Sequence, residues 1–297
     1  MRRRPARVFQ DILISGLINS SVYALLAIGF SLIFGVARIV NIAHTAFYML
    51  GAYAFYTLLV LVGLPLVPAA VIAVVAVTAF SVLAYKLVIE PLREHVAAVL
   101  IATIALATIL QELMLLAYGG HYLGVPSTLE GVIHIAGVSI AYQRFVILVV
   151  AAVMLAIVWY VLYRTKMGLA IRATANDLEI ASVMGMDVGR VALATIALSV
   201  ALAAVAGVIV APVYVVDPLM WLGPLVTLLA IVVIGGLGSV KGSVIGAFVI
   251  GFVEAITVFA VPAGAYLKGA VALSIMIAVL LVRPEGLFGV AFEEEAR

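Results

Sequence analysis

The chain has 297 residues, of which 67% are hydrophobic and only 10% are charged, and its mean hydropathy is +1.36. A soluble domain is about half apolar and about a quarter charged, so this composition excludes a soluble globular protein. The net charge of +2 does not indicate a nucleic-acid-binding protein, and the absence of cysteine excludes disulfides and cysteine metal sites.

The chain begins with an arginine-rich stretch, residues 1–7, which is followed by a long apolar run. This order resembles a signal peptide, but the run is too long for a signal-peptide hydrophobic region and lacks a small-x-small cleavage site. We therefore expect a retained first helix with its basic end in the cytoplasm.

Apolar runs that reach the length of a bilayer span recur along the whole chain. A spanning helix needs about 20 apolar residues, and the 10 prolines lie at or beside the ends of these runs. The predicted segments are 11–35, 45–62, 66–88, 96–118, 143–163, 189–213, 223–238, 243–261 and 266–282. All are expected to be helical because lipid-exposed backbone must satisfy its own hydrogen bonds. The predicted fold class is all-α: a polytopic transmembrane helical bundle that forms one integral membrane domain, 1–297.

The distribution of Lys and Arg, which favour cytoplasmic loops, predicts the orientation of these segments. Simple alternation from a cytoplasmic N-terminus places the charged loop 164–190 outside, so one segment must be irregular. The candidate is 37–62, because it is the least uniformly apolar and begins with Arg38, Asn41 and His44. If it is re-entrant or broken, and enters and leaves on the same side, about eight crossings remain.

This arrangement predicts a multi-pass protein of the inner (cytoplasmic) membrane with both termini in the cytoplasm. Of the 16 Lys and Arg residues, all but three are then cytoplasmic. The three exceptions are Arg38, Arg144 and Lys268.

The longest polar loop, about 164–190, is predicted to contain a short helix. Asn176 is placed to cap it, Glu179 follows three residues later, and Gly185 is suited to end it in a left-handed conformation. The side chains expected on its exposed face are Leu178, Ala181 and Met184. The helix either rests on its own bundle or on lipid headgroups, or it docks a cytoplasmic partner.

Polar residues at membrane depth are costly and often functional. The candidates are Asn19, Asn41, His44, Gln111, Glu112 and Glu254. Asn41 and His44 either line a solute path or hold the irregular segment in place. For Glu112 and Glu254 we favour an uncharged or paired structural role inside the bundle.

The Gly-rich stretch 235–243 does not satisfy the phosphate-loop pattern GxxxxGK[ST], so any ATP must be bound by another chain. It is better interpreted as a tight turn between helices. Gly242, Gly246 and Gly251 are predicted to let helices approach closely in lipid. The chain also has no HExxH or GxSxG motif, and we expect neither an enzyme nor a metal or cofactor site.

Five motifs, in this order, resemble the permease subunit of branched-chain amino-acid ABC importers, the LivH type. They begin at Gly16 (GLINSSVYAL), Ile39 (IVNIAHTAFYMLGAY), Gly168 (GLAIRATA), Gly235 (GGLGSVKGSVIG) and Arg283 (RPEGLFG). The resemblance covers essentially the whole chain. One departure is Thr45, where the family more often has a small or acidic residue.

The resemblance implies an ATP-driven importer. Its expected partners are a second related permease subunit, two cytoplasmic ATP-binding subunits, a periplasmic or extracellular solute-binding protein and the membrane lipid. The stretch 172–185 then corresponds to the coupling helix that seats in the ATPase. The residues assigned to this role are Arg172, Asn176, Glu179, Ala181 and Gly185.

Two questions stay open at this stage. The family implies leucine, isoleucine or valine as the solute, but close relatives carry urea, amides and aromatic acids. An autonomous secondary transporter or channel is the alternative function, in which Glu112, Glu254 or His44 binds a coupling ion.

Overall fold

The computed structural model describes residues 5–126, 131–135 and 138–289, and every structural statement below concerns these residues. They form a helical bundle with one small β-hairpin. The elements are α1 (Pro5–Ala37), α2 (His44–Tyr56, extended by a π-helical turn, Thr57–Leu61), α3 (Leu66–Ala84, extended by the turns Tyr85–Ile89 and Glu90–Leu92), α4 (Val96–Tyr118), β1 (Val132–Ile135), β2 (Val138–Ala141), α5 (Tyr142–Arg164), α6 (Lys166–Asn176), α7 (Leu178–Val183), α8 (Val188–Val210), α9 (Leu222–Gly235), α10 (Val240–Ala260) and α11 (Gly264–Val282).

The predicted fold class is confirmed. Within the described ranges, 8 helices are long and apolar enough to cross a membrane, and one further apolar helix is shorter. The shorter helix is α9, with 14 residues, whereas the sequence singled out 37–62 as the irregular segment. The β-hairpin, β1 paired antiparallel with β2, was not predicted.

Helix α1 runs antiparallel to α10 along most of its length. Ser31 and Ser243 share a hydrogen bond, and a β-carbon on Gly35 would lie 3.6 Å from the Gly238 carbonyl oxygen. At the other end of the pair, Gly16 lies against the Phe252 ring. The C-terminal end of α1 therefore lies beside the turn between α9 and α10.

Several connections gather at that end of the bundle, which we call the α7 end. Arg38 Nη2 donates to the Ala175 carbonyl at 3.0 Å, so the connection after α1 contacts α6. The Leu287 amide donates to the Ile234 carbonyl at 2.8 Å, which brings the segment 283–289 to the same end. Arg38 therefore lies on the same side as the loop 164–190, whereas the sequence predicted that the two lie on opposite sides.

The opposite end, which we call the hairpin end, carries the β-hairpin and the loop 211–221. Leu123 and Val216 bond each other through both backbone amides, at 3.0 and 2.9 Å. Because α1 follows α10 in the opposite direction, the beginning of α1 also lies here. The beginning of α1 and residues 283–289 therefore lie at opposite ends of the bundle, in contrast to the expectation that both termini lie on one side; residues 1–4 and 290–297 themselves lie outside the described residues.

The segment 37–62 was predicted to be either re-entrant or broken. It is broken, but it does not return to the side on which it starts. After α1 the chain turns through 38–43, with Arg38 at a φ of 55°. The first residue of α2, His44, contacts the carbonyl of Leu26, about 16 Å along α1 from its end at 1.5 Å per residue. Helix α2 thus begins inside the bundle and continues to the hairpin end.

The core consists of two apolar clusters that share the central helices α1 and α8. One joins α1 to α5, α9 and α10, and the other joins α2, α3 and α4 to α8. By contrast, α3, α5 and α11 expose large apolar side chains such as Val75, Val153 and Leu281. Such a surface fits lipid or another apolar protein surface.

Glycines permit the closest helix contacts. A β-carbon on Gly242 would overlap the Gly235 carbonyl, and one on Gly246 would lie 2.7 Å from the Ile231 carbonyl oxygen. On Gly251 it would lie 2.7 Å from the Ser20 amide nitrogen. In each case the obstacles include backbone atoms, which cannot move aside by changing a rotamer, although the atom nearest to Gly251 is the Ser20 hydroxyl oxygen.

Candidate functional site

Helices α6 and α7 form the polar structure at the α7 end, and each begins with a side-chain cap. Thr165 Oγ1 accepts from the Gly168 amide at 3.0 Å, and Asp177 Oδ1 accepts from the Ile180 amide at 2.9 Å. Asn176 is the last residue of α6. The predicted short helix therefore exists, but its cap is Asp177 and not Asn176.

Helix α7 ends in a Schellman motif around Gly185. The Gly185 amide donates to the Ser182 carbonyl at 2.9 Å, and the Met186 amide donates to the Ala181 carbonyl at 3.1 Å. Gly185 has a φ of 83°, the left-handed conformation predicted for it, which a β-carbon would strain. Caps at both ends thus stabilise a helix of only 6 residues.

The exposed face of α7 is apolar. Ile180, Val183 and Met184 are 62%, 87% and 75% exposed, respectively, whereas Ala181 is only 2% exposed. The prediction that Ala181 lies on the exposed face is therefore wrong, since Ala181 is the residue that seats α7 on the bundle. Glu179 lies in the first turn and is exposed. This leaves an apolar surface without a partner at the end of the bundle.

Arg172 holds α6 against α5. Its Nε donates to the Leu162 carbonyl at 3.0 Å, and its guanidinium carbon lies 4.9 Å from the centre of the Tyr163 ring. A cation at this distance from an aromatic face is attracted to it. Arg172 therefore fixes the base on which α7 stands.

Glu254 is the most deeply buried carboxyl among the predicted path residues, with 1% of its surface exposed. The Tyr23 hydroxyl donates to its Oε2 at 2.8 Å, and the Thr227 hydroxyl donates to its Oε1 at 2.9 Å. These bonds join α10 to α1 and α9. The paired structural role favoured from the sequence agrees with this arrangement.

Asn41 and His44 lie at the break before α2, and both are buried. His44 Nε2 donates to the Leu26 carbonyl at 3.1 Å, and its ring meets Phe30 edge-on, with 6.1 Å between the centroids. Asn41 Oδ1, His44 Nδ1 and Thr45 Oγ1 have no hydrogen-bond partner in the described chain. Buried polar atoms normally have partners, so this cluster is the least satisfied polar region of the bundle.

Glu112 is separate from these groups. It is exposed on α4, where its Oε1 accepts from Gln111 Nε2 at 3.2 Å. Gln111 in turn accepts from Trp221 Nε1 at 3.0 Å. The structure does not bring the four predicted path residues together in one cavity.

A cavity of about 460 Å³ opens near the hairpin end. Its polar lining consists of Asn19, Tyr23, Tyr48, Tyr214, Asp217 and Lys268. Tyr48 is 5% exposed, and no hydrogen bond of its hydroxyl occurs within the described ranges. The sequence reasoning missed this set apart from Asn19. The available signal was the Tyr214 and Asp217 pair in a short loop between two apolar helices.

The residues described contain no group of three or more His, Asp or Glu side chains that could hold a metal ion. The two ends of the bundle differ in the chemistry of their exposed groups. The α7 end presents an exposed apolar surface, and the hairpin end presents a polar cavity that contains both a carboxylate and an ammonium group.

Known proteins resemble this chain along nearly its whole length. BraD from Pseudomonas aeruginosa, a high-affinity branched-chain amino acid transport system permease protein, is 31% identical, covering 93% of this chain and 94% of its own. The corresponding LivH protein of Escherichia coli K12 is also 31% identical, covering 95% and 96%. A probable branched-chain amino acid transport permease LivH of Methanocaldococcus jannaschii is 31% identical, covering 96% and 94%.

A solved structure shares the fold. PsaBC from Streptococcus pneumoniae in complex with Fab matches with a TM-score of 0.55 at 16% identity, covering 95% of this chain and 97% of the matched chain. The family model described as "Branched-chain amino acid transport system / permease component" matches residues 12–280. This chain therefore belongs to the family of branched-chain amino acid transport system permease components.

Proposed function

We propose that this chain is the membrane-spanning permease subunit of an ATP-driven importer for branched-chain or related small amino acids. It moves the solute across the inner membrane by alternating between outward-facing and inward-facing states. The observation that carries the proposal is the capped helix α7, which presents Ile180, Val183 and Met184 in a chain that belongs to this family.

The α7 end faces the cytoplasm. Twelve Lys and Arg residues lie in the described part of the chain, and all but Arg7, Arg144 and Lys268 belong to that end. Cytoplasmic ends are enriched in Lys and Arg, which supports this orientation. It places the beginning of α1 on the external side, in contrast to the cytoplasmic position expected from the N-terminal arginines, of which Arg2–Arg4 lie outside the described residues.

Helix α7 seats in a groove of a cytoplasmic ATPase. Its apolar face supplies the contact, Asp177 and Gly185 fix its two ends, and Ala181 and Arg172 hold it on the bundle. Asn176 and Glu179 stand beside this face, at the rim of the contact. The complete importer contains a second related permease, two ATPases and a solute-binding protein that delivers the amino acid.

The solute enters through the cavity near the hairpin end. A zwitterionic amino acid carries an ammonium and a carboxylate, and Asp217 and Lys268 offer the complementary charges. Asn41 and His44 lie deeper, at the break before α2, where irregular backbone can line a path. Glu254 acts as a bracing group between helices, and Glu112 on the surface of α4 has no role in the path.

The test replaces the apolar face of α7 with charge. In the complex reconstituted with its ATPases and solute-binding protein, Val183→Asp with Met184→Asp is expected to abolish ATP-driven leucine uptake and to release the ATPases during affinity purification. Glu112→Gln, on the exposed surface of α4 and remote from α7, is the control and should retain both. The proposal fails if the chain alone supports gradient-driven leucine uptake in liposomes and the double variant transports normally.

A further inference from the structure

An apolar groove lies between α1, α5 and α10 near the α7 end. It has a volume of about 550 Å³, and its lining includes Ile28, Leu155, Trp159, Val244 and Ile245. Along α5 it extends from Leu155 to Tyr163, about 12 Å at 1.5 Å per residue. A groove of this form on a membrane-spanning bundle matches a lipid acyl chain, because both are apolar and elongated.

The groove continues into a basic pocket of about 340 Å³, whose polar lining includes Arg172, Asn176, Ser239 and Lys241. Tyr163 and Lys241 line both spaces. Neither lining contains an Asp or Glu side chain. The two cations are therefore not neutralised there by a carboxylate of the described chain, and the pocket complements an anion.

Aromatic rings and cations alternate at the junction of the two spaces. The Arg164 guanidinium carbon lies 5.9 Å from the centre of the Trp159 ring, and Arg172 lies over Tyr163. Trp and Tyr concentrate where the bilayer core meets the headgroups. The junction is thus at the depth where a lipid changes from acyl chain to headgroup.

The first turn of α10 adds further donors to the pocket. Ser239 caps this helix by accepting from the Gly242 amide at 3.1 Å. The amides of Val240 and Lys241 precede the first intrahelical bond, so they are free to donate to an anion. These donors reinforce the cations without being needed to define the site.

We infer that this chain binds an anionic phospholipid, with one acyl chain in the groove beside Trp159 and the phosphate between Arg172 and Lys241. Basic pockets between helices at the cytoplasmic surface bind such headgroups. The lipid would brace α5 and α6 against α10, directly behind α7. The inference uses the proposed orientation only to assign the leaflet, and it does not depend on the transported solute.

The experiment measures retained lipid. The full chain, in its complex, is reconstituted in nanodiscs of phosphatidylglycerol and phosphatidylcholine, re-extracted in mild detergent and analysed by native mass spectrometry. Lys241→Gln is expected to weaken phosphatidylglycerol retention about fivefold, the effect of one cation near an anionic surface. Lys241→Arg should retain it, and Lys268→Gln, at the hairpin end, is the matched control and should not change it.

Four results of the retention measurement would overturn the inference. These are unchanged retention in Lys241→Gln, equal loss in Lys268→Gln, equal retention of phosphatidylcholine, and displacement of the lipid by millimolar inorganic phosphate, which would indicate a site for free phosphate.

Cross-linking provides an independent measurement. If Ile245→Cys cross-links efficiently to the second permease subunit, a protein partner covers the groove and the lipid assignment is wrong. Transport activity is not the readout, so failure here is distinguishable from failure of the proposed function.

Discussion

Replacing Gly242 by alanine tests whether the contact between α9 and α10 depends on the missing side chain. The added β-carbon would overlap the carbonyl of Gly235, and the Gly235 α-carbon would lie 3.1 Å away. Both obstacles are backbone atoms of the last residue of α9. The methyl group can be accommodated only if α10 moves away from α9.

The expected change in the free energy of unfolding combines two opposing effects. Overpacking of a close contact costs about 1–3 kcal/mol, and a rigid backbone obstacle favours the upper part of this range. Alanine recovers about 1 kcal/mol through its higher helix propensity. We therefore expect a net destabilisation of about 2 kcal/mol, which corresponds to a melting temperature lowered by about 3 °C for a chain of this length.

Gly269 in α11 is the matched control, because a β-carbon there would meet nothing within 4 Å. Gly269→Ala should leave the melting temperature unchanged or raise it by about 1–2 °C. Thermal unfolding of purified protein in one detergent measures both variants. If Gly242→Ala melts no lower than Gly269→Ala, close backbone packing between α9 and α10 does not limit stability.

Three further substitutions test other contacts. Asp177→Ala should destabilise α7 by about 0.5–2 kcal/mol and speed hydrogen exchange of its backbone amides. Asn176→Ala should have neither effect. Equal effects of the two substitutions would contradict the assignment of Asp177 as the cap. Tyr23→Phe and Thr227→Val should each lower the free energy of unfolding by about 1–3 kcal/mol, because each leaves the buried Glu254 carboxylate with only one hydrogen-bond donor. A double-mutant cycle in thermal unfolding should give a coupling energy of at least about 0.5 kcal/mol. Strictly additive effects would argue against a shared hydrogen-bond network. Ala263→Gly should stabilise the protein by about 1 kcal/mol, because Ala263 has a φ of 58°, and a lower melting temperature would show that this conformation is not strained.

The helices were largely predictable because a bilayer imposes a simple length and polarity requirement on each one. Segment 96–118, for example, coincides with α4. The direction of α1 was not predictable from charge. The N-terminal arginines indicated that α1 begins on the same side as the loop 164–190, but the packing of Gly16 and Ser31 against α10 places the beginning of α1 at the other end of the bundle.

The candidate site likewise has some features that were predictable from the sequence and others that were not. The sequence identified the short helix and its terminal Gly185, because caps and left-handed glycines are local signals. The sequence placed the cap one residue early. Asn and Asp are both good N-cap residues, and only the end of α6 at Asn176 shows that Asp177 caps α7. The cavity near the hairpin end depends on residues brought together from distant helices, for example Tyr48 and Lys268. No local pattern encodes that proximity.

The opposed ends of the chain have a practical consequence for anyone who attaches a reporter to this protein. A bundle whose apolar helices alternate from the beginning of α1 to residues 283–289 presents its two ends to different compartments. In the orientation proposed above, a fusion after residue 289 would share the cytoplasmic compartment with α7, whereas a fusion before α1 would lie on the external side. A tag meant to capture the ATPases, or a fluorescent domain that must mature in the cytoplasm, therefore belongs at the C-terminal end.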